Sequence, residues 1–172
     1  MARQPDTIVT LILGGTRSEK SRLGEALIAA HPPPWTYIAT AQAGDEEMTA
    51  RIAVHRARRD ERWRTVEQPT ALPAAVTEAG ETPVLADCLT LWLTNLMLAS
   101  EDVSDATEEL LEALAARVAP TVLVANEVGL GVVPEHRLGR EFRDVADVLH
   151  QRVAARAGRE LFMVAGLPIV AK

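Results

Sequence analysis

The sequence has few aromatic residues, a single cysteine and almost no lysine. Aromatic residues make up 3% of the 172 residues while 48% are hydrophobic, so a core must be built from alanine, valine, leucine and isoleucine. Cys88 has no second cysteine with which to form an internal disulfide, a pattern typical of a reducing compartment. We therefore expect one compact domain over residues 1–172, located in the cytoplasm.

Long apolar runs are also missing from the chain. The start, MARQPDTIVT, lacks the apolar stretch of a signal peptide, and no run reaches the roughly 20 residues that a membrane span needs. The net charge of −6 argues against general nucleic-acid binding, which favours a strongly basic surface. We therefore expect that the protein does not bind nucleic acid and has no membrane-spanning segment.

The scarcity of lysine makes one stretch informative. Among 18 basic residues only Lys20 and Lys172 are lysine, and Lys20 lies in GGTRSEKS, which begins at Gly14. A phosphate-binding loop reads G-x-x-x-x-G-K-[ST], and the first glycine, the lysine and Ser21 fit this spacing. Glu19 stands where the pattern has its second glycine. Because arginine's planar fork replaces the loop lysine poorly, a lysine at this position gives the match to a phosphate-binding loop more weight. A basic strand-to-helix turn remains the alternative.

Short apolar runs alternate with helical patterns along the chain. We predict strands over 7–13, 35–40, 83–88, 120–126 and 159–166. We predict helices over 20–30, 45–61, 89–99, 104–118 and 137–157. This alternation predicts an α/β fold with a mostly parallel sheet covered on both faces, whose ligands bind beyond the carboxyl ends of the strands.

Two further groups of residues suit nucleotide chemistry. Asp87 ends the apolar run PVLAD, where an acid can hold Mg²⁺ or cap the following helix. Arg51, His55 and Arg59 follow one another at intervals of four residues, so they would share one face of the predicted helix. An imidazole between guanidinium groups suits attack on a phosphate. A solvated basic face with one surface histidine is the alternative.

These segments resemble one known family along almost the whole chain. NEVGLGVVP, from Asn126 to Pro134, fits that family's N-E-V-G-x-G-[IV]-V-P, and RIAVHR, from Arg51 to Arg56, fits its R-I-x-x-H-[RK]. Together with LILGGTRSEKSRLGEALI and LADCLTLWLTNLM, they resemble the bifunctional adenosylcobinamide kinase / adenosylcobinamide-phosphate guanylyltransferase family of cobalamin biosynthesis.

The resemblance implies a three-layer, RecA-like P-loop fold, a homotrimer and two reactions. ATP or GTP would phosphorylate adenosylcobinamide, and GMP from GTP would then pass through a guanylylated histidine to give adenosylcobinamide-GDP. Lys20 and His55 are the implied catalytic residues, and Ser21 and Asp87 would hold Mg²⁺. The implied nucleotide-binding residues are Gly14, Gly15, Thr16, Arg17, Ser18, Lys20, Ser21, Ala39, Thr40, Ala41, Arg56, Ala57, Arg58, Arg59, Glu67 and Asp87.

Glu19 departs from the pattern of this family. At its position the backbone approaches phosphate in a conformation that a side chain resists by about 1–3 kcal/mol. A carboxylate about 4 Å from a phosphate charge would add about 4 kcal/mol of repulsion at an effective dielectric constant near 20, and far less if it turns to solvent. Two alternatives therefore stay open: a monofunctional P-loop kinase in which His55 is structural, and a non-catalytic nucleotide-binding protein.

Overall fold

Seven strands form one sheet in the part of the chain that the computed structural model describes, which is residues 8–172 without the side chain of Arg51. The strands are β1 Val9–Gly14, β2 Trp35–Ala39, β3 Trp63–Glu67, β4 Val84–Asp87, β5 Thr121–Asn126, β6 Arg159–Val164 and β7 Leu167–Val170. The helices are α1 Lys20–Ala29, α2 Glu46–Ala57, α3 Leu72–Glu78, α4 Leu89–Leu98, α5 Val103–Ala115 and α6 Arg137–Arg156.

The strand order is β3-β2-β4-β5-β1-β6-β7, and every neighbouring pair is parallel except β6 and β7. This confirms the predicted mostly parallel α/β sheet. The register aligns the carboxyl ends of the central strands, because Gly14 pairs with Asn126 and Ala39 pairs with Asp87. Only β5 separates β1 from β4, so their carboxyl ends lie about 10 Å apart.

Both faces of the inner strands β1, β2, β4 and β5 are buried, as their continuous apolar runs predict. Leu11 and Leu13 pack on one face, in the same cluster as residues of α3, α4, α5 and α6. Ile12 points to the other face and packs with Ile28 of α1, because successive strand residues alternate in direction. Gly24 keeps α1 close to the sheet, since a Cβ there would lie 2.8 Å from a methyl group of Leu85. No helix within residues 8–172 is both long and apolar enough to cross a bilayer.

Several boundaries differ from the sequence prediction. The helix predicted over 45–61 ends earlier, at Ala57, and β3, α3 and β7 were not predicted at all. The predicted strand over 7–13 begins at Val9, and Thr7 lies outside the described residues. β3 is an edge strand with no fully buried residue, so it lacks the apolar run that marks the inner strands.

Candidate nucleotide-binding and catalytic site

The phosphate-binding loop predicted from GGTRSEKS connects β1 to α1. Gly14 is required there, because a Cβ at this position would lie 2.8 Å from the carbonyl oxygen of Met163 and 2.9 Å from Oγ of Ser18. Lys20 is only 6% exposed, and its ammonium group donates to the carbonyl oxygen of Gly15 at 2.5 Å. Backbone N–H groups at the start of a helix and a lysine ammonium group are donors that suit a phosphate, so this arrangement fits the predicted loop.

Glu19 precedes α1 in the left-handed conformation, with φ 69° and ψ 20°. This is the backbone geometry that favours glycine, so the sequence prediction of strain at this position fits the structure. The carboxylate lies at the surface, 3.8 Å from a guanidinium nitrogen of Arg22, and about half of its side chain is exposed. Solvent therefore screens its charge from the loop.

Asp87 lies at the carboxyl end of β4 and faces the same cleft as Ser21. The hydroxyl of Tyr37 donates a hydrogen bond to Oδ2 of Asp87 at 3.0 Å, which orients the carboxylate. Burial and the neighbouring carboxylate raise the pKa of Tyr37, so its phenol stays protonated and keeps donating. A serine hydroxyl and an oriented carboxylate are the oxygen ligands that Mg²⁺ prefers, so these residues fit that ion.

Helix α2 presents His55 to the cleft. The helix begins after Asp45, whose Oδ1 accepts a hydrogen bond from the backbone N–H of Met48 at 2.7 Å. Met48, Ile52 and His55 follow at helical spacing and all line the cleft. A nitrogen of the Arg58 guanidinium lies 3.0 Å from Nδ1 of His55. Because a guanidinium can only donate, Nδ1 is the acceptor in this contact.

The predicted common face of Arg51, His55 and Arg59 is wrong for Arg59. α2 ends at Ala57, and Arg59 turns away from it into the protein, where its side chain is 5% exposed. Its guanidinium lies 3.5 Å from the ring centre of Tyr37. The side chain of Arg51 lies outside the described part of the structure.

A row of charged and polar groups joins Arg58 to Asp87, and sequence analysis missed it. Glu25 of α1 lies 3.7 Å from Arg58 and 3.6 Å from Arg59, and Arg59 stacks on Tyr37, which bonds to Asp87. Burial raises the pKa of Glu25, against the lowering effect of the two arginines. No sequence spacing relates these residues, because α1, β2, β4 and the end of α2 bring them together only in the fold.

The cleft has a volume of about 570 Å³ and lies at the carboxyl edge of the sheet. The predicted site residues that line it are Thr16, Arg17, Ser18, Lys20, Ser21, Ala41, His55, Arg58 and Asp87. The predicted residues that are not part of its described lining are Gly14, Gly15, Ala39, Thr40, Arg56, Ala57, Arg59 and Glu67. The two catalytic candidates and both candidate metal ligands therefore share one cleft.

Residues outside the lining have structural contacts of their own. Thr40 is fully buried, and its hydroxyl accepts from the backbone N–H of Cys88 and donates to its carbonyl, both at 2.8 Å. Arg56 and Glu67 form an exposed ion pair at 3.7 Å beside the cleft. Cys88 itself lines the cleft, and burial raises the pKa of its thiol to about 12, which keeps the protein's single cysteine protonated.

The glycine-rich loop after β5 contacts the phosphate-binding loop, and sequence spacing alone did not reveal this contact. Asn126 lines the cleft, and the backbone N–H of Glu127 donates to the carbonyl oxygen of Gly14 at 3.0 Å. The two loops are thus fastened together at the carboxyl ends of β1 and β5.

Two solved structures that resemble this fold are ATPases. An ATPase from the type III secretion system of pathogenic bacteria matches with a TM-score of 0.56 and 12% identity, over 94% of this chain and 56% of that one. The ATPase EscN from the type III secretion system of enteropathogenic E. coli matches with a TM-score of 0.54 and 12% identity, over 95% of this chain and 48% of that one. This chain spans about half the length of those ATPases, and the likeness shows the P-loop α/β fold.

Sequence comparison identifies the family. The family described as CobU, cobinamide kinase / cobinamide phosphate guanyltransferase, matches residues 10–171. The bifunctional adenosylcobalamin biosynthesis protein CobP of Pseudomonas aeruginosa is 53% identical, over 94% of this chain and 96% of its own. Proteins named CobU with the same description are 38% identical in Salmonella typhimurium and 40% identical in Escherichia coli, each over 96% of this chain and 100% of its own. The chain therefore belongs to the cobinamide kinase / cobinamide phosphate guanyltransferase family of enzymes.

Proposed function

We propose that this protein phosphorylates adenosylcobinamide with a nucleoside triphosphate and then transfers GMP from GTP to the product, through a guanylylated His55. The observation that carries the proposal is that one cleft contains the phosphate-binding loop, Asp87 and the His55–Arg58 pair. The names of the relatives, bifunctional adenosylcobalamin biosynthesis proteins, support two activities on one chain.

In the kinase reaction, Lys20 and the N–H groups at the start of α1 bind and neutralise the phosphates. Mg²⁺ held by Ser21 and Asp87 would neutralise charge on the β and γ phosphates. The aminopropanol hydroxyl of adenosylcobinamide attacks the γ-phosphorus and loses its proton to solvent. The bond from that phosphorus to the bridging oxygen breaks, and the nucleoside diphosphate leaves. Either ATP or GTP could supply this phosphate.

In the transferase reaction, His55 is the nucleophile. Its imidazole attacks the α-phosphorus of GTP, an N–P bond forms, and the bond to the bridging oxygen breaks so that pyrophosphate leaves. A phosphate oxygen of adenosylcobinamide phosphate then attacks the same phosphorus, and the N–P bond breaks to regenerate His55. The products are adenosylcobinamide-GDP and free enzyme.

Arg58 supports this role of His55 because it can exchange partners. In the structure it donates to Nδ1 of His55 and lies 3.7 Å from Glu25. Its side chain is about one-third exposed, so it can reach a bound phosphate by a change of rotamer. A triphosphate in the cleft would attract the guanidinium, which releases the lone pair of Nδ1 and places positive charge beside the reacting phosphorus.

A nucleotide-binding protein with one activity or none is the second candidate, and Glu19 is the observation that favours it. A glutamate in the left-handed conformation replaces the loop's second glycine and places a negative charge beside the phosphate site. Against this candidate, Lys20 is held inside the loop and the Glu19 carboxylate faces solvent. A thermal shift with GTP and Mg²⁺ tests whether the loop binds nucleotide at all.

A product assay separates these functions. The protein is incubated with adenosylcobinamide, GTP and Mg²⁺, and adenosylcobinamide phosphate is resolved chromatographically from adenosylcobinamide-GDP. The wild type should form both compounds, and His55→Ala should accumulate the phosphate alone. Failure of the wild type to form either product would overturn the proposed function. Formation of the GDP compound by His55→Ala at the wild-type rate would overturn the role of His55.

We also propose that the protein works as a homotrimer in the cytoplasm. The loop after β5 exposes Leu130 to 80%, Val132 to 93% and Val133 to 58%. A run of exposed apolar side chains beside a cleft is typical of an interface between proteins, and a second copy of this chain would cover it. The buried, protonated thiol of Cys88 is compatible with a reducing compartment.

A further inference from the structure

Three potential metal ligands converge behind the loop that follows β5. Glu127 lies directly after that strand, and Asp147 and His150 lie on α6. One ligand atom from each residue lies within 4.8 Å of the others. Asp147 and His150 are three residues apart on a helix, so they project from the same face, as paired carboxylate and imidazole ligands do in helical metal sites.

His150 is the unusual member of this cluster. The residue is 4% exposed, and neither of its ring nitrogens has a hydrogen-bond partner among the described residues. Buried polar groups in native proteins almost always have a partner, which is a protein group, a water molecule or an ion. Burial lowers the pKa of His150, although Glu127 and Asp147 act in the opposite direction.

The loop backbone holds the carboxylate of Glu127 and lies close to that of Asp147. Oε1 of Glu127 accepts hydrogen bonds from the N–H groups of Gly129 at 2.5 Å and Leu130 at 2.9 Å. This leaves the second oxygen of Glu127 for another ligand. A Cβ on Gly129 would lie 2.5 Å from Oδ2 of Asp147, so the absence of a side chain there lets this carboxylate lie against the loop.

We propose that Glu127, Asp147 and His150 bind one divalent transition-metal ion of the Zn²⁺ class. One imidazole and two carboxylates form a mixed nitrogen and oxygen donor set that suits such ions better than Mg²⁺. An ion placed among the three ligand atoms would lie within about 3 Å of each of them. Side-chain movements of about 1 Å would shorten these distances to metal–ligand bonds of 2.0–2.2 Å. Water would complete the coordination.

This site is separate from the Mg²⁺ ligands Ser21 and Asp87. It fastens the loop after β5 to α6, and the backbone of Glu127 already bonds to Gly14 of the phosphate-binding loop. The bound ion would therefore stabilise the backbone that supports the nucleotide cleft. None of the three ligands is part of the described lining of the cleft, so the test of this site does not depend on the proposed function.

The test is a titration of EDTA-treated, nucleotide-free protein with Co²⁺, followed by its visible absorption and by competition with Zn²⁺. The test variants are Asp147→Asn and His150→Gln. The controls are Asp144→Asn, an exposed carboxylate on the same helix, and His31→Gln, an exposed histidine. The wild type and both controls should bind one ion per chain. Both test variants should bind at least about tenfold more weakly, since even the loss of outer-shell partners costs 10–100-fold.

Circular dichroism of the metal-free variants shows whether each variant folds. If His150→Gln does not fold, the half-buried Asp147→Asn variant decides the result. A wild type that binds no Co²⁺ would overturn the site. Equal affinity in the wild type and the folded test variants would overturn it as well.

Discussion

At the scale of single residues, Glu19 has two effects on the phosphate-binding loop. Its backbone conformation is strained, and its carboxylate places a negative charge near the phosphate site. Its φ of 69° belongs to the left-handed region, where a side chain costs about 1–2 kcal/mol relative to the right-handed form. Its carboxylate faces Arg22 and solvent, which is the arrangement expected to give much less repulsion of bound phosphate. The residue should therefore weaken nucleotide binding without abolishing it.

Two variants separate these effects of Glu19. Glu19→Gln removes only the charge, and Glu19→Gly removes the charge and the strain. Both should bind GTP roughly two- to fivefold more tightly by calorimetry at low salt, since a screened surface charge contributes at most about 1 kcal/mol. Only the glycine variant should gain stability, by roughly 1 kcal/mol in denaturant unfolding. Equal or weaker GTP affinity of Glu19→Gly would contradict this account.

At the scale of secondary-structure elements, the row from Arg58 to Asp87 connects α2 to β4 through α1 and β2. Tyr37 is its last member before the candidate metal ligand, and its hydroxyl is the group that orients Asp87. The row therefore links the end of the helix that carries His55 to the Mg²⁺ site. Tyr37 acts through Asp87 and is a positioning residue.

Tyr37→Phe tests this link. The ring and its stacking with Arg59 remain, but Asp87 loses a hydrogen bond of a kind that contributes about 1.5–3 kcal/mol when one partner is charged. Mg²⁺-dependent GTP binding should weaken roughly tenfold, whereas GTP binding measured in EDTA should change little. Equal weakening in both conditions would show a general structural role for Tyr37 instead.

The sequence predicted those elements that are marked by a pattern within their own residues, such as an apolar run or a loop motif. β1, α1 and the end of β4 follow from apolar runs and from the loop pattern, and all three are present. β3 and α3 were missed because one is a half-exposed edge strand and the other has only seven residues. The position of Arg59 depends on where α2 ends and on Glu25 and Tyr37, which come from other elements. Likewise, His150 meets Glu127 only through the packing of α6 behind β5.

At the scale of the whole molecule, all functional candidates lie at the carboxyl edge of one sheet. The phosphate-binding loop, Asp87 and the loop after β5 each follow a strand that ends there, and α2 places His55 above them. The exposed apolar residues Leu130 and Val132 lie on the same edge. The proposed trimer would thus cover a surface next to the cleft.

Val132→Asp tests the proposed trimer interface. A charge in an apolar interface is costly to bury, so the variant should elute as a monomer when light scattering measures its mass after size exclusion. The control is Val118→Asp, since Val118 is 70% exposed but precedes β5 at the opposite edge of the sheet. That control should remain trimeric. A monomeric wild type, or a trimeric Val132→Asp, would contradict the proposed interface.

The covalent intermediate is the central claim, and direct detection of GMP on the protein tests it. The protein is incubated with Mg²⁺ and GTP labelled at the α-phosphate, quenched without acid, and examined for label and for intact mass. The wild type and a His31→Ala control should gain one GMP per chain that acid removes, because an N–P bond is acid-labile. His55→Ala should gain none. Label retained by His55→Ala, or a wild type that never acquires GMP, would contradict the account.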